Sequence, residues 1–476
     1  MVAVVALSSC LGACAIPDLS PPSGMSPPES LASERSLQGA GAAREWPRDR
    51  WWTAYGDAAL DALVDEAMAG SPSVAVAHAR IRQARGAAEA AGGALLPSLG
   101  GQASGGITKQ SYNNGIPPDA VPRGWNGTGT LALSADYDLD LWGANRKALA
   151  AATSEAQAAE ADAYQAELML ASNVVSSYFD LARLIEQGRA LQEASDARAQ
   201  MVALVRRRVE QGLENEAPLR RAEAAAASAR ARLSANAEQV LLRRHALAAL
   251  LGAGPDRGLT IAPGELARVA APQVPVDAGI ALAGRRPDII AARLRVEAAS
   301  ARVDVAHAAF LPNISLRGLV GLTSLGLSNL IDGGSTYGNA GAALSLPLFQ
   351  GGRLSGNLGQ ARGAFAQAVG EYNATVVGAL REVADGVSSL AAASVQDRDA
   401  AEAARTAAAA HGLAMQRYRG GLTGYLDALT AQTAAIEARE AAIDAHFRTL
   451  ALDAALKRAL GGGFVQNSSK KASDNE

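Results

Sequence analysis

The stretch Gly129-Thr130-Leu131-Ala132-Leu133-Ser134-Ala135-Asp136-Tyr137-Asp138-Leu139-Asp140-Leu141-Trp142 decides how the chain is read. Leu131, Leu133, Ala135, Tyr137, Leu139 and Leu141 fall on one face, and Ser134, Asp136, Asp138 and Asp140 fall on the other. A period of two means a β-strand. A soluble sandwich strand shows the same alternation with its apolar side inward. Aspartates on one face, with Trp125, Tyr137 and Trp142 towards the ends, fit a membrane wall better. Aromatic residues then sit at the lipid interfaces, the leucines face lipid, and Asp136, Asp138 and Asp140 face an aqueous lumen.

Working outward, 98–109, 314–322 and 337–348 read as the partner strands. Four strands cannot close a barrel, and lipid tolerates no open sheet edge. Oligomerisation is therefore forced, and three copies give about twelve strands, an even number within the range of outer-membrane barrels. Gln110 to Gly124 and Thr323 to Thr336, rich in Gly, Asn, Asp and Pro, read as exposed hairpin loops.

Beyond the strands, residues 145–211 run without proline, with Gly188 the only glycine, and 353–419 form a second proline-free run. Each is a helix of roughly 100 Å at 1.5 Å per residue, longer than a compact domain needs. A rod of this kind must bury a stripe against neighbours. Here the stripe is alanine, as in Ala148-Leu149-Ala150-Ala151-Ala152 and Ala400-Ala401-Glu402-Ala403-Ala404, which allows the close approach of coiled-coil layers. An ordinary antiparallel bundle is the competing reading of the helices alone.

The two runs belong to a duplication. Pro72 and Pro97 bracket one apolar-periodic stretch and Pro287 and Pro312 another. Gly212-Leu213 and Gly421-Leu422 each interrupt a pair of helices, and Leu251-Gly252 and Leu460-Gly461 each end the second helix of the pair. The last two landmarks share an offset of 209 residues. The organisation expected is a signal peptide (1–13), a lipid anchor and extended tether (14–50), a first repeat (51–252), an equatorial linker (253–284), a second repeat (285–461) and a disordered tail (462–476). The first repeat holds helices over 73–96, 145–211 and 215–251; the second holds them over 287–311, 353–419 and 423–460. The fold class is that of a mixed α and β membrane protein.

Composition narrows the function. A net charge of -3 and a pI near 6.1 give no basic footprint for nucleic acid. Both cysteines, Cys10 and Cys14, lie in the first fourteen residues, so the body of the chain holds neither a disulfide framework nor a cysteine metal site. Val2 to Ala13 is too short to span a bilayer and reads as a signal peptide. No Lys or Arg precedes it, so a start codon further upstream is expected. Leu11-Gly12-Ala13-Cys14 and Leu7-Ser8-Ser9-Cys10 both resemble a lipobox. Cys14 leaves the longer apolar stretch and is the preferred site of palmitate-type acylation, with several acyl chains on one cysteine giving firm anchorage. No other cofactor is expected. His78, His245, His307, His411 and His446 are isolated, and no phosphate loop or nucleophile elbow is present, so neither a metal site nor an enzyme is expected.

Together with the lipobox and the duplicated halves, Trp51-Trp52, Asp57-Ala58-Ala59-Leu60, Asp140-Leu141-Trp142-Gly143, Leu346-Pro347-Leu348-Phe349 and Tyr418-Arg419-Gly420-Gly421-Leu422 carry a family likeness. From Cys14 to about Gly461 the chain resembles the TolC-like outer-membrane factors of tripartite efflux systems, of the OprM/NodT lipoprotein type. The resemblance implies a homotrimer in the outer membrane, with a twelve-stranded β-barrel, a long periplasmic α-barrel and an equatorial belt from Ser30 to Gly70 and Ile261 to Gly284. It also implies a periplasmic membrane-fusion adaptor and an inner-membrane pump of the resistance-nodulation-division type as partners.

By the same resemblance Tyr418, Gly421, Leu426, Asp427 and Thr430 fall in the segment that constricts the pore. Three copies of Asp427 would form a carboxylate ring, although a lone Asp on a solvated helix face reads equally well. Gly212, Leu213, Gly421 and Leu422 match adaptor-contacting tips, or are simple helix-capping turns. Thr423 and Thr430 stand where some relatives carry an arginine and a second aspartate, and Pro218 where some carry an acid, so closure by packing is expected. A type I protein-secretion duct shares these features. A lipid-anchored coiled-coil adaptor or scaffold shares the helices and leaves the strands without a role.

Overall fold

In chain order the elements are α1 (Glu34–Leu37), β1 (Gly41–Ala43), a 3-10 turn (Trp51–Tyr55), α2 (Ala58–Gly70), α3 (Pro72–Gly93), β2 (Ser98–Thr108) and β3 (Asn126–Asp138). They continue with α4 (Ala144–Glu210), α5 (Glu216–Leu250), α6 (Pro255–Leu259), β4 (Gln273–Pro275), α7 (Ala278–Arg285), α8 (Pro287–Ala308), β5 (Asn313–Leu325), β6 (Thr336–Ser345), α9 (Arg353–Arg419) and α10 (Tyr425–Ala459). The computed structural model describes residues 24–27, 30–32, 34–37, 41–43, 46–264, 266, 273–275 and 278–465. Cys10, Cys14 and the expected signal peptide lie outside the described residues. The chain divides into two units, one of residues 1–25, 80–159 and 292–372, the other of 26–79, 160–291 and 373–476.

The first unit carries one antiparallel sheet in the order β2-β3-β5-β6. Register sorts its faces. Leu131 lies opposite Ala103 and Leu322, Leu133 opposite Gly101 and Val320, and Ala135 opposite Leu99 and Gly318. Leu316 and Leu344 extend this apolar face, and Leu99, Leu131, Leu133, Leu316, Val320 and Leu344 are all exposed on it. The other face brings Asp136 between Ser98 and Arg317, and the Arg317 guanidinium lies 3.7 Å from the Asp136 carboxylate. Asp138 accepts a bond from Asn313 at 3.3 Å. A sheet with an exposed apolar face and a polar face is a wall between lipid and water.

Strand boundaries shift from the sequence expectation, and β3 begins earlier, at Asn126. β3 stops at Asp138 because the chain turns at Asp140, where φ is +44°. The Asp140 carboxylate accepts from the backbone N–H groups of Asn145 (2.9 Å) and Arg146 (3.0 Å), and its side chain is paired with Arg146 at 3.2 Å. Asp140 is thus the device that starts α4, and the expectation of a lumen role on the strand is corrected. β5 runs past 322 to Leu325, where it still pairs with Thr128, and the second loop is shorter accordingly. β6 ends at Ser345, before Pro347, which has no N–H for a ladder. The expected first helices of each repeat end at Gly93 and Ala308. The remaining residues before Pro97 and Pro312 tighten into three-residue turns, as Leu96 N to Gly93 O (3.1 Å) and Leu311 N to Ala308 O (3.0 Å), because a residue preceding proline is pushed out of the helical region.

The core of the second unit is built on an aromatic cluster. Trp51, Trp52, Tyr55 and Phe179 meet edge to face at 4.9 to 6.4 Å in a core with Leu60, Val64, Val174 and Leu450. The residues opening the first repeat are therefore core anchors. Asp57 caps α2 by accepting from Ala59 N at 2.9 Å, and it also accepts from the Tyr178 hydroxyl and from Gly264 N (3.1 Å). The expected extended tether contains α1 and β1, and β1 pairs in parallel with β4. The tail is fixed as far as Phe464, whose ring meets Tyr164 at 5.1 Å, because the caps after α10 hold it.

Each repeat closes on its own start. α5 and α10 end in Schellman turns: Gly252 (φ +72°) and Gly461 (φ +90°) are followed by bonds from Ala253 N to Ala248 O (3.0 Å) and Gly462 N to Lys457 O (3.0 Å). A Cβ on Gly252 would stand 2.2 Å from the carbonyl oxygen of Gly70, and one on Gly461 would stand 2.1 Å from that of Arg285. Those carbonyls lie two residues before Pro72 and Pro287, the prolines that open the two repeats. Beside the second contact the buried Arg286 guanidinium binds Asp288 (2.6 Å), Glu382 (2.9 Å) and Ala459 O (3.0 Å).

Candidate functional site

The two long helical hairpins end in a matched pair of turns in the second unit. Gly212 and Gly421 both adopt φ +73°. Leu213 N donates to Arg208 O at 2.8 Å and Leu422 N to Arg417 O at 2.9 Å, so both turns are Schellman motifs. The capping geometry left open in the sequence is present at both. It presents one leucine per turn to solvent: Leu213 is 62% exposed and Leu422 74%. Gly212 and Gly421 are exposed as well.

Beneath the turns a small core joins the hairpins, built of Met201, Val205, Ala222, Tyr418, Tyr425 and Ala428. Tyr418 is completely buried, its ring 6.1 Å from that of Tyr425 and 5.0 Å from the Arg208 guanidinium carbon. Its hydroxyl donates to Glu214 at 2.9 Å, and the same carboxyl oxygen accepts from Arg208 Nε at 3.1 Å. Burial, reinforced by the Glu214 acceptor, pushes the Tyr418 hydroxyl above its ordinary value, so it remains a proton donor at any physiological pH. Arg208 and Glu214 flank the first turn, and Tyr418 ends the second long helix. A polar three-residue link therefore ties the hairpins together.

Of the expected constriction residues, Leu426 (58% exposed), Asp427 and Thr430 share the exposed side of the first turns of α10. The Thr430 hydroxyl is used locally, donating to Leu426 O at 2.9 Å. Asp427, in the first turn of α10, sits at the favourable end of the helix dipole. Tyr418 does not join this group: it points into the protomer core, packed with Met201, Val205, Tyr425 and Ala428, and its place at an exposed constriction is corrected. Sequence reasoning missed Glu214 and Arg208. They lie 204 and 210 residues from Tyr418, and nothing local to either turn marks the contact.

A model of the outer membrane efflux protein family matches residues 63–253 and 281–462. The chain belongs to that family. Both matched stretches end one residue beyond the capping glycines Gly252 and Gly461. The fusaric acid resistance protein FusA of Burkholderia cepacia is 35% identical, over 75% of this chain and 68% of FusA. The multidrug resistance outer membrane protein MdtP of Escherichia coli K12 is 33% identical, over 74% of this chain and 73% of MdtP. The crystal structure of the outer membrane protein VceC from Vibrio cholerae superposes with a TM-score of 0.83 at 40% identity, covering 88% of this chain and all of VceC.

This outer membrane efflux protein is the outer-membrane channel of a tripartite efflux pump. Its fold is that of trimeric channels with a helical barrel and a β domain. The four-stranded sheet accounts for the trimer physically, since β2 and β6 are edges that only further copies can pair. Members of the family are channel proteins that work with efflux pumps.

Proposed function

We propose that the chain is the passive exit duct for small organic toxicants, anchored by lipid on Cys14, closed near Leu426 and Asp427, and docked through Leu213 and Leu422 on a periplasmic adaptor served by a resistance-nodulation-division pump. The observation that carries this reading is the pair of solvent-facing leucines on matched Schellman turns at the ends of the hairpins. Exposed apolar anchors on ordered backbone are what a partner protein reads. The relatives named for fusaric acid and multidrug resistance support small molecules over secreted proteins as cargo. Asp136 and Asp138 then line the barrel lumen, with Arg317 neutralising part of their charge.

The anchor rests on the lipobox-like Leu11-Gly12-Ala13-Cys14.

The constriction is tested in planar bilayers. Leu426→Ala/Asp427→Ala is expected to raise single-channel conductance and reduce cation preference, because an apolar ring that opposes wetting and a carboxylate ring are both removed. Tyr418→Phe is expected to raise conductance less, by freeing one hydrogen bond worth about 1 kcal/mol of the link between hairpins. Conductance unchanged in the double variant sinks the placement of the gate.

A further inference from the structure

Higher in the hairpins, α4, α9 and α10 leave a cavity of about 400 Å³ between them, within the size range of small-molecule sites. Ala194, Ala408 and Ala435 supply much of its wall. Two unpartnered polar groups are set in this alanine-rich lining. Gln432 is only 3% exposed and its Oε1 has no hydrogen-bond partner among the described residues. His411 Nε2 is likewise buried and unpartnered among them. Burial pulls the imidazole below its ordinary value, so His411 is neutral at pH 7 and its Nε2 serves as either donor or acceptor.

We propose that this cavity is a binding site for a small neutral alcohol or phenol, whose hydroxyl donates to Gln432 Oε1 and accepts from His411 Nε2, and whose hydrocarbon part lies against the alanines. A buried acceptor left without a donor is destabilising, and a hydroxyl, being both donor and acceptor, is the one small group that can serve both. The charges at the cavity are already paired, Arg439 with Glu193 and Arg405 with Glu402, so the site offers no surplus charge to an ion. The site is separate from the Leu426 constriction and from the leucine turns.

The test uses the full-length trimer in nanodiscs and fluorine NMR with 4-fluorophenol, against 4-fluoroanisole, which has the same ring and no donor. Saturable binding of the phenol, about tenfold tighter than the ether, is expected, a ratio worth about 1.4 kcal/mol. Gln432→Leu should bring the phenol down to the affinity of the ether, and Ala435→Leu, which fills the cavity, should abolish binding of both. Equal affinity of phenol and ether for the unmodified trimer, no saturable binding of either, or full phenol binding in Ala435→Leu would overturn the assignment. The comparison of the two ligands needs no variant and decides even if a variant fails to assemble.

Discussion

Valine at Gly461 is expected to remove the trimer from outer-membrane fractions. The residue sits at φ +90°, and a Cβ there would lie 2.1 Å from the Arg285 carbonyl oxygen. Forcing a side chain into the left-handed region costs about 1–2 kcal/mol by itself. The contact with backbone adds more, because α10 must draw away from the segment that positions Arg286. A loss on the order of 5 kcal/mol is expected, comparable with the whole stability of a marginal domain. Gly421→Ala is the control. It shares the positive φ, +73°, but a Cβ there meets nothing within 4 Å, so only about 1 kcal/mol should be lost and the trimer should persist. Heat-modifiable trimer bands for the two variants make the comparison, and wild-type levels for Gly461→Val would show that the repeat does not depend on this closure.

Aspartate at Leu213 and Leu422 together should abolish efflux while leaving the trimer intact. Both leucines are mostly exposed, so replacing them costs the protomer little, within about 0.5 kcal/mol. A partner that buries them would instead have to bury charge, and several copies per trimer multiply the effect. Resistance to pump substrates is expected to fall to that of a strain lacking the gene, with normal trimer recovery. Retained resistance with both substitutions present would mean that the turns are not the docking surface.

Much of the fold was legible because its signals are local. Alternation along Leu131 to Tyr137 gave a strand, the proline-free runs gave α9 to the residue and α4 to within one residue at each end, and the common offset of Gly212 and Gly252 in the two repeats gave the duplication. What was not legible depends on residues meeting across the chain. Alternation carried the aspartate pattern through Asp140, because periodicity does not report a positive φ. The aspartates of the polar face carry no local sign of a basic partner, because Arg317 reaches Asp136 only through the register of β3 with β5. Tyr418 looked like a pore residue on motif resemblance, and only the packing of Met201 and Val205 against it, with Glu214 to receive its hydroxyl, shows it to be a buried strut.

The matched hairpin turns differ in one respect. The first carries a single glycine, Gly212, and its return helix is capped by Asn215, whose side chain accepts from Ala217 N at 3.0 Å. The second is Gly420-Gly421-Leu422-Thr423-Gly424, its return helix begins at Gly424 without a side-chain cap, and the buried Thr423 hydroxyl has no partner among the described residues. Glycine-rich backbone without a cap deforms at lower energy. In a trimer the rim therefore alternates stiff and compliant turns, and a pull on the rim spends its strain on the compliant set, the one that leads into Leu426 and Asp427.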